Sequence, residues 1–277
     1  MRTFIRRPGN KTKHIKKILP YIPEFEGNYI EPFVGTGALF LTLEPSKWII
    51  NDINKELIDI WKIVRDEPEF LLNEIGKLKE HLLSVDTKEK IKYCKEITSS
   101  IDNEKNVKLK AVKYHLMTYC SFESTLFHSY SDSKYFFTGL YGPLYETNSC
   151  HVFTESYIKK INHLNNLFKN GIIMNQDYSK VLKKVKSGDF VFLDPPYFGD
   201  KEYKFSYNDD EKIDESFVNN LIKELIKLDK KGVKWMMTQV DSDSVRENFC
   251  KYNILEIPMN NGVCDKLRNC ELLIMNY

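Results

Sequence analysis

The segment Phe190-Val191-Phe192-Leu193-Asp194-Pro195-Pro196-Tyr197 combines residue types suited to one kind of chemistry. An apolar strand delivers a carboxylate at its carboxyl end, two prolines fix φ and offer carbonyls without donors, and an aromatic ring follows. An amine conjugated to a ring, such as the exocyclic amine of adenine, is a poor nucleophile because its lone pair is delocalised. Hydrogen bonds from that amine to the Asp194 carboxylate and the Pro195 carbonyl would localise the lone pair toward an electrophile, while Tyr197 stacks on the base face. The competing reading is an Asp-Pro-Pro turn with no duty beyond ending a buried strand.

Three further segments have a chemical and a structural reading. Glu31-Pro32-Phe33-Val34-Gly35-Thr36-Gly37-Ala38 follows a strand and opens the apolar helix Leu39 to Leu43. Two glycines at such a turn let the backbone approach a ligand where open α/β sheets bind nucleotides. The third glycine of the dinucleotide fingerprint is missing, and no G-x-x-x-x-G-K-[ST] loop occurs anywhere, so NAD and ATP both lose ground. Asn51-Asp52 ends the next strand, where Asp52 could accept both ribose hydroxyls of a nucleoside or cap a helix from Ile53 to Trp61. Asn175-Gln176-Asp177-Tyr178 follows another strand, and Asp177 could accept a bond from a cofactor's adenine amine or cap a helix from Ser179 to Lys186.

The elements that must position these residues alternate. Short apolar runs at Tyr29–Glu31, Trp48–Ile50, Ile172–Met174, Phe190–Leu193, Trp235–Met237, Ile254–Ile257 and Leu272–Met275 are separated mostly by helix-like segments. That pattern predicts a mostly parallel sheet covered on both faces, with the last two strands forming an antiparallel edge hairpin through Pro258 to Glu271. From Glu56 to about Asn170 the alternation lapses, marking a large insertion. Glu74 to Lys113 carries apolar residues at helical spacing, namely Ile75, Leu78 and Leu82, then Ile91, Cys94 and Ile97. Tyr114 to Tyr157 holds twelve aromatic residues in 44 positions against 13% in the whole chain, which suits either a recognition surface or a small second core.

Composition excludes several classes. Hydrophobic content of 42% and charged content of 29% describe a globular chain, and no apolar run approaches the length of a membrane span, so we expect a protein neither secreted nor membrane-bound, cytoplasmic or wherever its target resides. The six cysteines show no C-x-x-C pair and the histidines no ligand spacing, so no metal site is expected. Net charge is only +2, but the first twenty residues hold Arg2, Arg6, Arg7, Lys11, Lys13, Lys16 and Lys17 and no acid, a cluster able to meet phosphates or to serve as a solvated basic tail.

In this order, with Gly9-Asn10-Lys11 ahead of them, the four segments resemble the Dam-type DNA N6-adenine methyltransferases, and the resemblance covers nearly the whole chain. It implies an α/β methyltransferase-type Rossmann fold with a mainly helical insertion, S-adenosylmethionine (AdoMet) as methyl donor and double-stranded DNA as partner. It further implies that Arg7, Lys11, Glu31, Phe33, Gly35, Gly37, Asp52 and Asp177 line the cofactor pocket, while Asp194, Pro195, Pro196 and Tyr197 hold a flipped adenine. Residues 1–55 and 171–277 would form the catalytic domain and 56–170 the target-recognition domain. Within the latter, Phe127, Tyr130, Tyr135 and Phe136 are candidates to contact bases, with Arg6, Lys11 and Lys13 attracting phosphates. The chain departs from the family in having Arg7-Pro8 where an aromatic usually precedes the Gly-Asn-Lys element. It also lacks Gly-Thr-Pro-like and Arg-Asn elements around Phe122 to Gly142, which bears on the sequence read. The alternatives are an RNA adenine methyltransferase and a non-catalytic DNA-binding relative.

Overall fold

The computed structural model describes residues 3–7, 11–122, 126–129, 134–198, 215–258 and 270–277. Contacts divide the chain into two compact units, Met1–Asn10 with Asn54–Ile173, and Lys11–Ile53 with Met174–Tyr277. None of the helices among the described residues is long and apolar enough to cross a membrane.

A seven-stranded sheet, all of it but Ile172 and Ile173 in the second unit, comprises β1 (Tyr29–Glu31), β2 (Trp48–Asn51), β5 (Ile172–Met174), β6 (Phe190–Leu193), β7 (Lys234–Val240), β8 (Asn253–Pro258) and β9 (Cys270–Met275). Their order across the sheet is β5-β2-β1-β6-β7-β9-β8. β1 runs parallel to β2 and β6, β6 is parallel to β7, and β9 is antiparallel to both β7 and β8. This is the mostly parallel sheet with an antiparallel edge hairpin expected from the sequence. The parallel strands are apolar throughout because both faces are covered. Ile30, Val191, Leu193, Trp235 and Met237 share one core with Leu221, Leu225 and Leu228 of α10 (Glu215–Lys230). On the alternate face Tyr29 packs on Phe40 of α2 (Phe40–Leu43) and on Phe190. The chain leaves β1 toward β2 and β5, then returns to the other side of β1 as β6. The order of connection therefore reverses between β1 and β6, and in open α/β sheets the crevice for ligands opens there, beyond the carboxyl ends.

The first unit is mainly helical, with α3 (Lys55–Asp66), α4 (Pro68–Ser84), α5 (Thr87–Ser100), α6 (Val107–Cys120) and α8 (Glu155–Leu167). Side-chain caps set where four of them begin, through Asn54, Asp86, Asn106 and Thr154. In α4 the expected stripe of Ile75, Leu78 and Leu82 is buried. In α5, a helix as expected, Cys94 is buried but its buried neighbours are Lys90 and Thr98, while Ile91 and Ile97 are only half-buried. Lys90 can occupy a core position because its ammonium donates to the Asn148 side chain. The small hairpin β3 (Leu126–Ser129) and β4 (Lys134–Phe137) completes the unit.

The aromatic-rich segment divides between the two uses considered for it. Tyr119 and Tyr157 are buried and both hydroxyls donate to the Phe4 carbonyl, at 2.8 and 3.2 Å. His115 lies 2.7 Å from the Tyr157 hydroxyl, and burial drives its pKa down to about 3, so the ring stays neutral. Phe122, Phe136 and Tyr145 remain exposed. Phe4 itself is buried, packing edge-on against Trp61 with ring centroids 4.9 Å apart and against Phe168 at 6.0 Å. Phe4 and Ile5 thus belong to the helical core rather than to a solvated tail. Phe4→Ala should cost about 3–5 kcal/mol of stability, the range for a large buried ring. Urea unfolding of the variant checks this, and a loss below about 1 kcal/mol would show that Phe4 is not part of that core.

Candidate active site at the carboxyl ends of the parallel strands

The turn after β1 requires glycine on conformational grounds. Gly35 and Gly37 have φ of +47° and +64°, in the left-handed region that L side chains rarely adopt. Among the described residues, no atom lies within 4 Å of where a Cβ at Gly35 would stand. The turn is held from below by Asp52, whose Oδ2 accepts from the Gly35 N–H at 2.9 Å. The cap of α3 is Asn54, accepting from Leu57 N–H at 2.8 Å, so Asp52 has no capping duty. Ile53 beside it is 57% exposed.

Two asparagines lock the neighbouring turns. Asn51 is buried, and its amide donates to the Pro32 and Gln176 carbonyls and accepts from the Gln176 N–H, all at 2.9 Å. Asn175 donates to the carbonyls of Asp52 and Ile53 at 2.8 and 2.9 Å. Every hydrogen-bonding group of the Asn51 amide is engaged, so the ends of β1, β2 and β5 are tied to a single side chain. Asp177 caps the short helix α9 (Tyr178–Leu182) through Oδ1, which accepts from the Ser179 N–H at 2.9 Å. Its structural reading is therefore realised, over a shorter helix than expected. Phe33 packs on Tyr178, ring centroids 5.2 Å apart.

Beyond β6, Asp194 is fixed through one oxygen. Its Oδ1 receives the Thr238 hydroxyl at 2.7 Å and the Lys11 ammonium at 2.9 Å, and no bond from a described residue reaches Oδ2. Lys11 donates also to the Tyr197 hydroxyl at 2.8 Å and to Glu271 Oε1 at 3.0 Å, and the Tyr197 hydroxyl in turn donates to Glu271. Burial alone would lower the Lys11 pKa, but the charges of Asp194, Tyr197 and Glu271 hold it well above its ordinary value. Burial pushes the Tyr197 phenol well up, with Glu271 and Asp194 adding to this against Lys11. Gln239, fully buried on β7, accepts from the Phe198 N–H at 3.2 Å and so braces the loop after Pro195 (buried) and Pro196 (exposed). Glu31 is buried and takes the Tyr29 hydroxyl at 2.7 Å. Burial, reinforced by the charges of Asp194 and Asp52, raises its pKa well above the usual carboxylate range.

The structure brings Lys11, Glu31, Phe33, Gly35, Gly37, Asp52, Asp177, Asp194, Pro195, Pro196 and Tyr197 into one unit, at the ends of β1, β2, β5 and β6. The expectation that Lys11 attracts phosphates fails, since its side chain is 11% exposed and its charge is engaged by two carboxylates. Arg6 and Arg7 belong to the other unit. Arg6 lies 4.1 Å over the Tyr141 ring, and Arg6 and Arg7 line a narrow cleft with Tyr114 and His115. Tyr135 is half-buried against Tyr114, with centroids 5.4 Å apart, whereas Phe136 is 47% exposed. Tyr130, Gly9 and Asn10 lie outside the described residues, as do the side chains of Lys13 and Phe127. Thr238, Gln239 and Glu271 were not anticipated. The available signal was polar residues inside strands otherwise apolar, Trp-Met-Met-Thr-Gln and Cys-Glu-Leu-Leu-Ile. A shallow cleft of about 700 Å³ at the opposite ends of the strands, lined by Phe25, Glu26, Gly188, Asp189 and Lys234, contains none of these residues.

Residues 8–260 match the D12 class N6 adenine-specific DNA methyltransferases. The chain belongs to this family. It is 30% identical to the type II methyltransferase M1.LlaDCHI of Lactococcus lactis subsp. cremoris, over all of this chain and 96% of that protein. It is 29% identical to the type II methyltransferase M.MjaIII of Methanocaldococcus jannaschii, over all of this chain and 99% of that one. A shorter stretch, 23% of each chain, is 38% identical to the DNA adenine methylase of Escherichia coli. The expected adenine-specific DNA methyltransferase is thereby met. In this enzyme Asn51 is the residue on which the turns around the crevice depend. Asn51→Asp removes two donors and sets a carboxylate beside two carbonyls, and should cost about 1–3 kcal/mol. A thermal unfolding midpoint equal to that of the wild type would show that the turns hold themselves.

Proposed function

We propose that this methyltransferase transfers a methyl group from AdoMet to the N6 amine of an adenine flipped out of double-stranded DNA, with Asp194 as the acceptor that activates the amine. The observation that carries this reading is the one-sided anchoring of Asp194. Thr238 and Lys11 both bind Oδ1, so the carboxylate is oriented while Oδ2 remains for the substrate. One amine hydrogen goes to Oδ2 and the other to the Pro195 carbonyl, which draws the nitrogen lone pair out of conjugation with the ring. Tyr197 supplies a ring face for the base, and its tethered hydroxyl fixes that ring beforehand.

The residues beside this acceptor fit AdoMet. The space that the described residues leave before Gly35 suits a ligand against the turn, Asp52 is a carboxylate at the end of β2 suited to ribose hydroxyls, and exposed Ile53 with Phe33 offers apolar surface for an adenine ring. When bound there, AdoMet supplies an electrophilic methyl group on a sulfonium. Gly35, Gly37, Asp52 and Ile53 would hold it, Asp177 would meet its adenine amine through the oxygen not used for capping, and Glu31 would line the floor.

We assign target recognition to the helical unit, where exposed Phe122 and Phe136 on and beside the small hairpin suit stacking on bases. Arg6 is proposed to contribute phosphate attraction. Phe136→Ala should change which sites are methylated while leaving catalysis on a preferred site within a few-fold, and sequencing of methylated positions after treatment of mixed DNA tests this. An unchanged site preference would remove Phe136 from the recognition surface.

Transfer of a labelled methyl group to DNA and to RNA of mixed sequence tests the main reading, with DNA the expected acceptor. Asp194→Ala should lose on the order of a hundredfold or more in rate while AdoMet still binds. Asp52→Ala should do the converse, weakening AdoMet by about 1.5–3 kcal/mol in calorimetry. Near-normal turnover of Asp194→Ala would overturn the assignment.

A further inference from the structure

The cluster behind Asp194 contains a carboxylate that the proposed reaction does not itself require. Glu271 sits on β9, opposite Val240 of β7 and Ile257 of β8, an apolar setting in which a carboxylate is costly. It is 2% exposed, and its Oε2 is buried with no hydrogen-bond partner. A buried, half-satisfied acid inside a strand calls for a reason other than packing.

The reason lies in the donor count. The Lys11 ammonium has three hydrogens, and its three acceptors are Asp194 Oδ1, Glu271 Oε1 and the Tyr197 hydroxyl. The single Tyr197 hydroxyl hydrogen goes to Glu271. Deleting Glu271 would strand one hydrogen of Lys11 and the only one of Tyr197. It would also leave the whole positive charge of Lys11 acting on Asp194, making that carboxylate a poorer acceptor for an amine.

We propose that Glu271 is a positioning residue for methyl transfer: it anchors Lys11 and the Tyr197 phenol together, so that the amine acceptor and the stacking ring are set before DNA arrives, and it shares the charge of Lys11 with Asp194. This rests on the methyl-transfer reading of the same site and adds a residue that acts only through Lys11 and Tyr197.

Glu271→Gln keeps the shape and removes the charge. In single turnover the full-length variant should transfer methyl groups roughly 10- to 100-fold more slowly, the scale of a small misplacement of reacting groups, with AdoMet and DNA affinities nearly unchanged. The pH profile supplies a readout that mere packing would not move. Among the described residues the groups facing Lys11 are Asp194, Tyr197 and Glu271, and their charges raise its pKa against the effect of burial. Without the charge of Glu271 the ammonium deprotonates at lower pH, so the alkaline limb of the rate should shift toward neutrality. Glu271→Asp, which keeps the charge, should leave that limb near its wild-type position. Wild-type rate and profile in Glu271→Gln would overturn the proposal, as would a loss confined to AdoMet affinity. If the Gln variant does not fold, Tyr197→Phe cuts the same tether: a several-fold slower rate with both affinities kept is expected, and wild-type rate would refute it. Failure of the wild-type enzyme to methylate DNA at all would instead refute the reading of the site.

Discussion

A buried ammonium has to be matched by acceptors, and in this enzyme the ammonium of Lys11 takes its acceptors from distant parts of the chain. Tyr197 is 186 positions away and the Tyr197–Glu271 link spans a further 74. Ordering so long a chain to close these contacts is entropically costly, and buried ion pairs repay their desolvation poorly. The cluster is thus weak as a source of stability and strong as a device of geometry. Removing either kind of partner leaves an uncompensated charge, so the arrangement tolerates little displacement of Asp194 or Tyr197.

The sheet makes that arrangement possible. Because the chain reverses its direction of growth between β1 and β6, the glycine turn and the Asp-Pro-Pro-Tyr turn emerge at the same end of adjacent strands. The antiparallel insertion of β9 between β7 and β8 then places Glu271 next to Val240, two residues beyond Thr238. An all-parallel sheet would have brought the opposite end of that last strand to the crevice. The edge hairpin is therefore a functional part of the topology: it lets the final strand deliver an acid to the same end as the parallel strands deliver theirs.

What was legible in the sequence follows from range. The parallel strands are buried on both faces, so each appears as an unbroken apolar run, and Val191 or Trp235 needs no distant information to be placed in a core. Asp194 was legible because its neighbours Pro195 and Tyr197 are adjacent in sequence. Glu271 was not, because its partners are remote and its own segment signals only a strand with one odd residue. Asp52 and Asp177 looked equivalent, each an acid between a strand and a helix. Asn54, two positions on, caps its helix and releases Asp52, whereas Asp177 caps its own through Oδ1. In α5, Lys90 took the core position that apolar spacing had given to Ile91, since a lysine stem with an engaged ammonium packs as well as an isoleucine.

Asp52, Asp177, Glu31, Asp194 and Glu271 crowd one end of this sheet, and four kinds of donor manage them. Asp52 is held by a backbone N–H, Asp177 by a helix start, Glu31 by a phenol, and Asp194 and Glu271 by one shared ammonium. An unmanaged set would repel a polyanionic partner and would compete for protons among itself. Burial first, then the proximity of Asp194 and Asp52, raises the pKa of Glu31 and so disfavours its charged form. Lys11 balances another negative charge. What differs is local: a carboxylate set against the glycine turn, where the proposed sulfonium donor would be welcome, and one oxygen of Asp194 that no bond from a described residue reaches, where an amine with two hydrogens would be. The discrimination between the two positions is thus made by the donors that surround the acids, since the acids themselves are chemically alike.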